Sequence, residues 1–546
     1  MERLFGVETE YAFAALNSER ERISSGRVLR RLMGLAGRRL SYLPDGSVGG
    51  MFLQNGARLY VDSGNHPEFS TPECTNPWDV VRYIQAGERI LADLASALER
   101  EKGEVSETVV LRSNVDYGGT GSTWGCHESY LHLRDPSIFA EQLIPHLVSR
   151  ILYTGAGGFN SLRLTALDFT LSPRVWHLEH NISNESTHNR GIFHTKNESL
   201  SAGRYHRLHI LCGESLCSEL ATWLKIGTTA LVVALIDGGA RPGDAVQMCS
   251  PLAAMRQFAG DPKCQSVARL RNGAEVSALG IQRHYLHQAE ANLHRDFMPA
   301  FAEAVCEQWR AVLDKLENAP ESVVTELDWA IKLSLYANRA HRHGVAWESL
   351  PSWSHVLTTL SEPYRDRLSR GRRVPLDVIL ARLGPDSRLA KELTQFLRDR
   401  GLKWEGLRAF VRLQKELFEI DARFGQLGDR SIFISMDRAG VLSHRVPGVD
   451  NIEHAMENPP AVGRARVRGE IVRQLARERD QYISSWERIF DCEGRRTLDL
   501  SDPFATTTPE WKVWSADEEY FVTVHGRLGR SVLRGRRSSI IPDFLR

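Results

Sequence analysis

The chain has 546 residues, 42% apolar and 25% charged, with a formal net charge of +1. That length exceeds a single hydrophobic core and predicts two or three folded units, while the ordinary composition excludes wholesale disorder. Near-neutral charge gives no global argument for nucleic acid or a membrane as partner.

The eight cysteines form no CxxC pair, so reduced thiols are expected in place of a disulfide framework or a zinc site. The opening Met-Glu-Arg-Leu-Phe-Gly-Val-Glu has neither the basic nor the apolar region of a signal peptide. The longest apolar run, 230–236, falls far short of the ~20 residues that span a bilayer. A soluble, cytoplasmic protein is the expectation.

In chain order, alternating segments predict strands over 4–13, 57–61, 108–115, 129–133, 168–171 and 207–212. Helices are predicted over 20–35, over 78–101 after the start signal Asn76-Pro77, and over 218–236, whose apolar residues run nearly all round and predict burial. From about residue 289 the pattern turns helical, with helices expected over 289–316, 322–343, 376–400 and 406–424. Residues 347–375 read as a loop or linker carrying Arg365, Arg367, Arg370, Arg372 and Arg373.

A helix over 464–476 and strands over 495–500 and 519–524 predict a small C-terminal domain, and its tail holds Arg527, Arg530, Arg534, Arg536 and Arg537. Strands followed by helices, without regular βαβ alternation, predict an α+β protein with a largely antiparallel sheet. The expected organisation is a catalytic unit over 1–457, with a helical insertion at 343–400, and a C-terminal domain over 458–546.

The chemistry-bearing residues fall on predicted strands. Glu8 and Glu10 stand two apart, so their carboxylates leave the same face. Two such acids repel unless they are solvated, protonated or bridged by a cation. Arg58, Tyr60 and Asp62 share one face of the next strand, opposite the apolar Ala57, Leu59 and Val61; His66 and Glu68 follow a Ser-Gly-Asn turn. A third strand supplies His127 within Cys126-His-Glu-Ser-Tyr, and a fourth sets Arg207 beside His209 on one face.

Four strands delivering carboxylates, imidazoles and a guanidinium to one face predict a metal–nucleotide site, because Mg²⁺ takes oxygen ligands and phosphates need cations. No Walker-type loop and no Gly-x-Gly-x-x-Gly after a strand is present, so the common nucleotide-binding folds are unsupported.

Several of these strings resemble one family. Phe5-Gly-Val-Glu-Thr-Glu-Tyr is similar to the opening strand of the Pup–protein ligases and of the related Pup deamidase/depupylase. So are Asn55-Gly-Ala-Arg-Leu-Tyr-Val-Asp with His66-Pro-Glu-Phe-Ser, Gly125-Cys-His-Glu-Ser-Tyr, and Arg207-Leu-His. Leu224-Lys-Ile-Gly-Thr-Thr-Ala-Leu-Val resembles the family's core helix, and Asn458-Pro-Pro with Arg464-Ala-Arg-Val-Arg-Gly-Glu the start of its C-terminal domain.

The resemblance implies a curved, largely antiparallel sheet packed on helices, as in glutamine-synthetase-like carboxylate–amine ligases, with ATP and Mg²⁺ in its cradle. It also implies phosphorylation of a glutamate γ-carboxylate on a Pup-like modifier, followed by attack of a substrate lysine. By the same resemblance Glu8, Glu10, Glu68 and His127 would ligate metal. Asp62 would be the base with Tyr60 beside it, while Lys196, Arg207, His209, Arg464 and Arg466 would serve the nucleotide.

The short interval before Asn55 leaves no room for the mobile loop typical of the hydrolase branch, which favours a ligase over a depupylase or a small-molecule γ-glutamyl ligase. Three features depart from the family pattern: Thr195-Lys-Asn-Glu-Ser-Leu in place of Thr-Arg-Asp-Glu-Pro-His, the 343–400 insertion, and the arginine-rich tail. Lys196 keeps the charge of the replaced arginine but not its bidentate fork.

Overall fold

Strand alternation sets the architecture from the first element. In β1 (Phe5–Glu10) the residues Phe5, Val7 and Thr9 are buried, whereas Gly6, Glu8 and Glu10 face a partly open side. The computed structural model describes residues 3–513 except 47–48, 102, 164, 187, 202, 365–375, 385 and 493–494, together with the backbone of 520–526 and 529–535.

After β1 come β2 (Ala12–Leu16), α1 (Ser25–Arg39), β3 (Tyr42–Pro44), β4 (Met51–Leu53), β5 (Arg58–Val61) and β6 (Pro67–Ser70). They are followed by α2 (Pro77–Arg100), β7 (Glu107–Leu111), β8 (Cys126–His132), α3 (Phe139–Ser149), α4 (Ile151–Thr154), β9 (Gly158–Phe159) and β10 (Phe169–Thr170). Last in this half are β11 (His180–Ser183), β12 (Gly191–His194), β13 (His206–Ile210) and α5 (Glu219–Asp237).

Nine of these strands form the central sheet in the order β11-β12-β13-β8-β1-β6-β5-β4-β3. Every neighbouring pair is antiparallel except β11 and β12. The fold is α+β, with a largely antiparallel sheet on helices.

Two helices carry the buried face. In α2, Asn76 accepts the Asp79 backbone N–H and Pro77 opens the first turn, where its missing N–H costs nothing. In α5, Ser218 accepts from Ala221, and every residue from Glu219 to Ile236 is buried. This 19-residue helix is long and apolar enough to cross a membrane, but it lies wholly inside the protein against α2 and β8.

A second core joins α1, α2, β2 and β7. A third gathers Trp353, Phe410 and Leu413 of the helical half around Phe159 and Tyr336. The C-terminal unit, the helix Arg464–Leu475 with a four-stranded sheet, shares its core with Leu43 of β3 and Phe52 of β4.

Several expectations change. The predicted 4–13 strand breaks at Tyr11 into β1 and β2, which enter different sheets. The predicted 289–316 helix starts only at Ala302, after a turn segment containing Pro299. The 376–400 helix is two, Leu376–Leu383 and Arg388–Arg398, parted by Gly384 at φ +58° and restarted by Ser387 as a cap. Part of the expected 347–375 loop is the helix Leu350–Ser361, whose Leu350, Trp353, Val356 and Leu360 are buried. The arginines at 365–373 and most of the tail arginines lie outside the described residues.

Candidate active site

Strand register gathers the polar side chains. Glu8 pairs with His127 on one side and Ser70 on the other; Glu10 faces Glu68, and Glu68 faces Tyr60. His209 stands opposite Ser129 and is flanked by His194. Side chains of directly opposed residues leave the same face of a sheet, so this alignment concentrates charge without any long-range accident.

Glu8 is the hub. Its Oε1 accepts from Arg207 at 2.8 Å, and Arg207 is itself held by the Ser129 hydroxyl at 3.0 Å. Its Oε2 lies 3.7 Å from His127 Nδ1 and 3.6 Å from His209 Nε2. Glu10 accepts the Gly125 backbone N–H at 2.7 Å and stands 4.0 Å from His127 Nε2. Gly125 is required there, because a Cβ would collide with that same nitrogen. Asp62, just past β5, accepts the His66 backbone N–H at 2.6 Å, and its other oxygen is 3.3 Å from His66 Nδ1.

Burial, followed by the charges of Glu8 and Glu10, pushes the Glu68 carboxyl well above the usual carboxylate range. Burial also raises Glu8, but Arg207, His127 and His209 outweigh it and hold Glu8 well below that range. Burial, with Glu68 and Glu8 adding to it, keeps the Tyr60 phenol protonated. Burial and the Arg207 charge depress His209 to about 3 against the pull of Glu8, so its imidazole is neutral; among the described residues Glu8 Oε2, 3.6 Å from Nε2, lies just beyond hydrogen-bond reach and neither ring nitrogen has a closer partner.

Three sets converge closely enough to share a cation: Glu8–His127–His209, Glu10–Glu68–His127 and Glu10–Asp62–His66. Crowded carboxylates, one of them driven toward protonation, together with neutral unpartnered imidazole, form a donor set that a divalent cation would satisfy. Beside Glu8 a cavity of about 100 Å³ opens between the sheet and the C-terminal unit, lined among others by Ser129, Glu198, Arg207, Arg464 and Trp486.

This geometry has counterparts. A family model of the Pup-ligase protein matches residues 3–356 and 391–490. The Pup–protein ligase of Acidimicrobium ferrooxidans is 32% identical over 517 residues, which cover 92% of this chain and 96% of that protein. That of Rhodococcus opacus is 30% identical, with the same coverage. The chain belongs to the Pup-ligase family.

Two solved structures share its fold. One is the complex of Pup with its ligase PafA, with a TM-score of 0.69 and 22% identity, covering 93% of this chain and 89% of that one. The other is PafA with ADP, with a TM-score of 0.62 and 23% identity, covering 89% and 92%. The 357–390 gap in the family match falls inside the segment that sequence alone could not place in the Pup-ligase pattern.

Within this Pup-ligase site the structure brings together Glu8, Glu10, Tyr60, Asp62, Glu68, His127, Arg207 and His209. Arg464 lines the cavity, but its guanidinium is held by Glu73 at 2.6 Å and by the carbonyls of Leu200 and Leu500. Lys196 pairs with Glu198 at 3.2 Å and lines a neighbouring cavity of about 130 Å³. Arg466 does not line either cavity; it donates to the Thr506 carbonyl and lies 3.8 Å from Glu470.

Sequence reasoning did not single out His194, Arg174 or Arg190. Arg174 is buried, with two guanidinium nitrogens unpartnered among the described residues. Arg190 donates to Thr123 at 2.7 Å; burial and Arg174 depress it, while Glu10 pulls the other way. These arginines lie in a 3₁₀ turn and at the head of a four-residue strand, where no periodicity marks a face.

Proposed function

We propose that this protein is an ATP-dependent ligase that phosphorylates a glutamate γ-carboxylate of a Pup-like modifier and joins it to a substrate lysine. The observation that carries the reading is the single sheet face uniting Glu8, Glu10, Glu68 and His127 with Asp62 and Arg207, beside a cavity at the C-terminal unit. Identity of 30–32% to Pup–protein ligases along 92% of the chain supports it.

Nucleotide binding follows from the family, and Mg²⁺ is the ion this oxygen-rich set fits. Glu8, Glu10 and Glu68, with His127, would hold Mg²⁺, which would supply charge neutralisation to the phosphates. Arg207 and Arg464 face the cavity and would meet the nucleotide.

A carboxylate is a poor electrophile until phosphorylated, and lysine must lose a proton before it can attack. Asp62, whose carboxylate accepts the His66 backbone N–H and is grouped with Glu10, would take that proton. Tyr60 stays a neutral phenol, with the Arg58 guanidinium stacked 3.9 Å above its ring. The modifier and lysine-bearing proteins are the partners, and eight free cysteines support a cytoplasmic setting.

The test is ADP release by the pure protein with Mg·ATP, a panel of glutamate-ended Pup-like peptides and an amine acceptor. Peptide-stimulated ADP release with an isopeptide product by mass spectrometry is expected. Cleavage of a preformed conjugate without ADP release would overturn the ligase in favour of a hydrolase.

A further inference from the structure

We propose that Trp124 is a positioning residue for the ligation step, acting through His66 on the Asp62 carboxylate, an inference that rests on the ligase reading above. Asp62 depends on one neighbour for its direction. Its Oδ1 accepts the His66 backbone N–H at 2.6 Å, and its Oδ2 lies 3.3 Å from His66 Nδ1. An ionised carboxylate only accepts, so Nδ1 carries the hydrogen of that contact. Ser63-Gly64-Asn65 closes the turn between them, with Asn65 at φ +61° and its N–H on the Asp62 carbonyl. A Cβ at Gly64 would stand 2.7 Å from the His66 ring and 3.0 Å from Asp62 Oδ2, so only glycine fits there.

The turn fixes the His66 backbone but not its ring. Rotation about the Cβ–Cγ bond of a histidine is broad and roughly two-fold, so packing decides where Nδ1 points. Trp124 supplies that packing: its ring meets His66 edge to face, with centroids 5.5 Å apart and planes at 63°. The indole is held in place because both of its chain neighbours are tied into the site. Thr123 accepts from Arg190 at 2.7 Å. Gly125 donates its backbone N–H to the Glu10 carboxylate at 2.7 Å, and its carbonyl accepts the Glu10 N–H at 3.0 Å.

Behind Trp124 stands a hairpin braced on the helical half. The Trp124 N–H bonds the Asn114 carbonyl at 3.2 Å, and Val115 bridges Thr123. The buried Asn114 side chain both donates to and accepts from the Ser215 backbone. Tyr117 stacks flat on Phe418 of the helix Glu405–Phe424, centroids 4.5 Å apart, and its hydroxyl accepts the Phe159 N–H at 3.0 Å. The helical half thus sets the base from a distance. In the ligation step Asp62 takes one proton from the lysine ammonium, and the freed electron pair bonds the acyl carbon. The C–O bond to phosphate breaks with its pair leaving on phosphate, which also carries away the second amine proton. A carboxylate turned aside cannot take the first proton, and a misplacement of ~1 Å costs about 10²-fold.

The experiment uses the full-length protein with Mg·ATP, a glutamate-ended Pup-like peptide, and either a lysine acceptor or hydroxylamine, which is uncharged at neutral pH and needs no base. Trp124→Ala should lower kcat for lysine transfer by about 10²-fold at unchanged KM, with the hydroxamate formed at the parental rate. Trp124→Phe should recover most of the lysine rate. Adding Trp124→Ala to Asp62→Asn should cost nothing more, since both remove one function. Equal losses with both acceptors would make Trp124 merely structural and overturn the inference. So would a raised KM alone, which would make the ring a wall for the lysine side chain, or additive losses, which would place its action away from Asp62. A crystal structure of Trp124→Ala reads the geometry without activity: the His66 ring should have left Asp62, and an unmoved ring overturns the inference. A moved ring, in a protein whose parent forms no product with either acceptor, refutes the functional reading alone.

Discussion

Asp62 and Glu68 occupy one sheet face yet are set for different work. Asp62 follows β5 with its carboxylate oriented by the His66 N–H, whereas Glu68 is buried among like charges. Asp62→Asn keeps the shape and the acceptor oxygen but removes the base. Turnover should fall by about 10²–10⁴-fold, with Mg·ATP affinity, read by calorimetry, little changed; loss of binding instead would place Asp62 among the metal ligands.

Glu68 is disfavoured in its charged form by burial and by the neighbouring carboxylates. Its carboxyl is raised in the fold, so the folded state prefers it protonated, and its contribution falls as pH rises from the unfolded carboxylate value through the raised one. Glu68→Gln should therefore raise the metal-free melting temperature by a few degrees at pH 7, and the gain should vanish near pH 4. The same substitution should weaken Mg²⁺ binding. A variant no more stable at pH 7 than the parent would mean that the carboxylates are relieved by some contact other than a cation.

At the scale of elements, the joint between the sheet and the C-terminal unit rests on Glu73. Arg464 and Arg468 both bond this carboxylate, and Arg468 is fully buried. Although burial raises Glu73, Arg468 and Arg464 draw it down to about 2, so its stabilisation is complete above the unfolded value near 4.3 and is lost as pH falls through about 2. Glu73→Ala strands a buried guanidinium and should cost about 3–5 kcal/mol, measured by urea unfolding. Because Arg464 also bonds the Leu200 carbonyl on the cavity wall, nucleotide affinity should drop with it. A variant with unchanged stability would show that the shared core of Leu43, Phe52 and Val467 holds the unit by itself.

These elements also show what a sequence discloses. The period-2 spacing of Glu8 with Glu10 and of Arg58 with Tyr60 exposed the polar face, and the Asn76-Pro77 start located α2 to within a residue. Strands of three or four residues such as β3, β4 and β12 are too short to show alternation, so the far side of the sheet and His194 on it stayed hidden. The partners of Glu73 lie nearly 400 residues away, a pairing no local pattern encodes. Arg464 and Arg466 look alike in sequence, yet helix geometry turns one toward Glu73 and the other toward Glu470.

For the whole molecule, a net charge of +1 conceals an uneven distribution. The last 21 residues hold Arg527, Arg530, Arg534, Arg536, Arg537 and Arg546 against a single acid, Asp543. Their basic character lies past residue 490, beyond the family match. A basic tail attracts an acidic modifier over a range set by the Debye length, ~10 Å at 0.1 M salt and ~3 Å at 1 M. Such attraction acts mainly on the association rate. Truncation after His525 should therefore slow association with an acidic Pup-like peptide at low salt, in stopped-flow fluorescence, by about tenfold. At 1 M salt the truncated and intact chains should converge, while peptide-independent Mg·ATP binding stays the same at both. Equal rates at low salt would make the tail a solvated appendage and leave recognition of the modifier to the surface around the catalytic sheet.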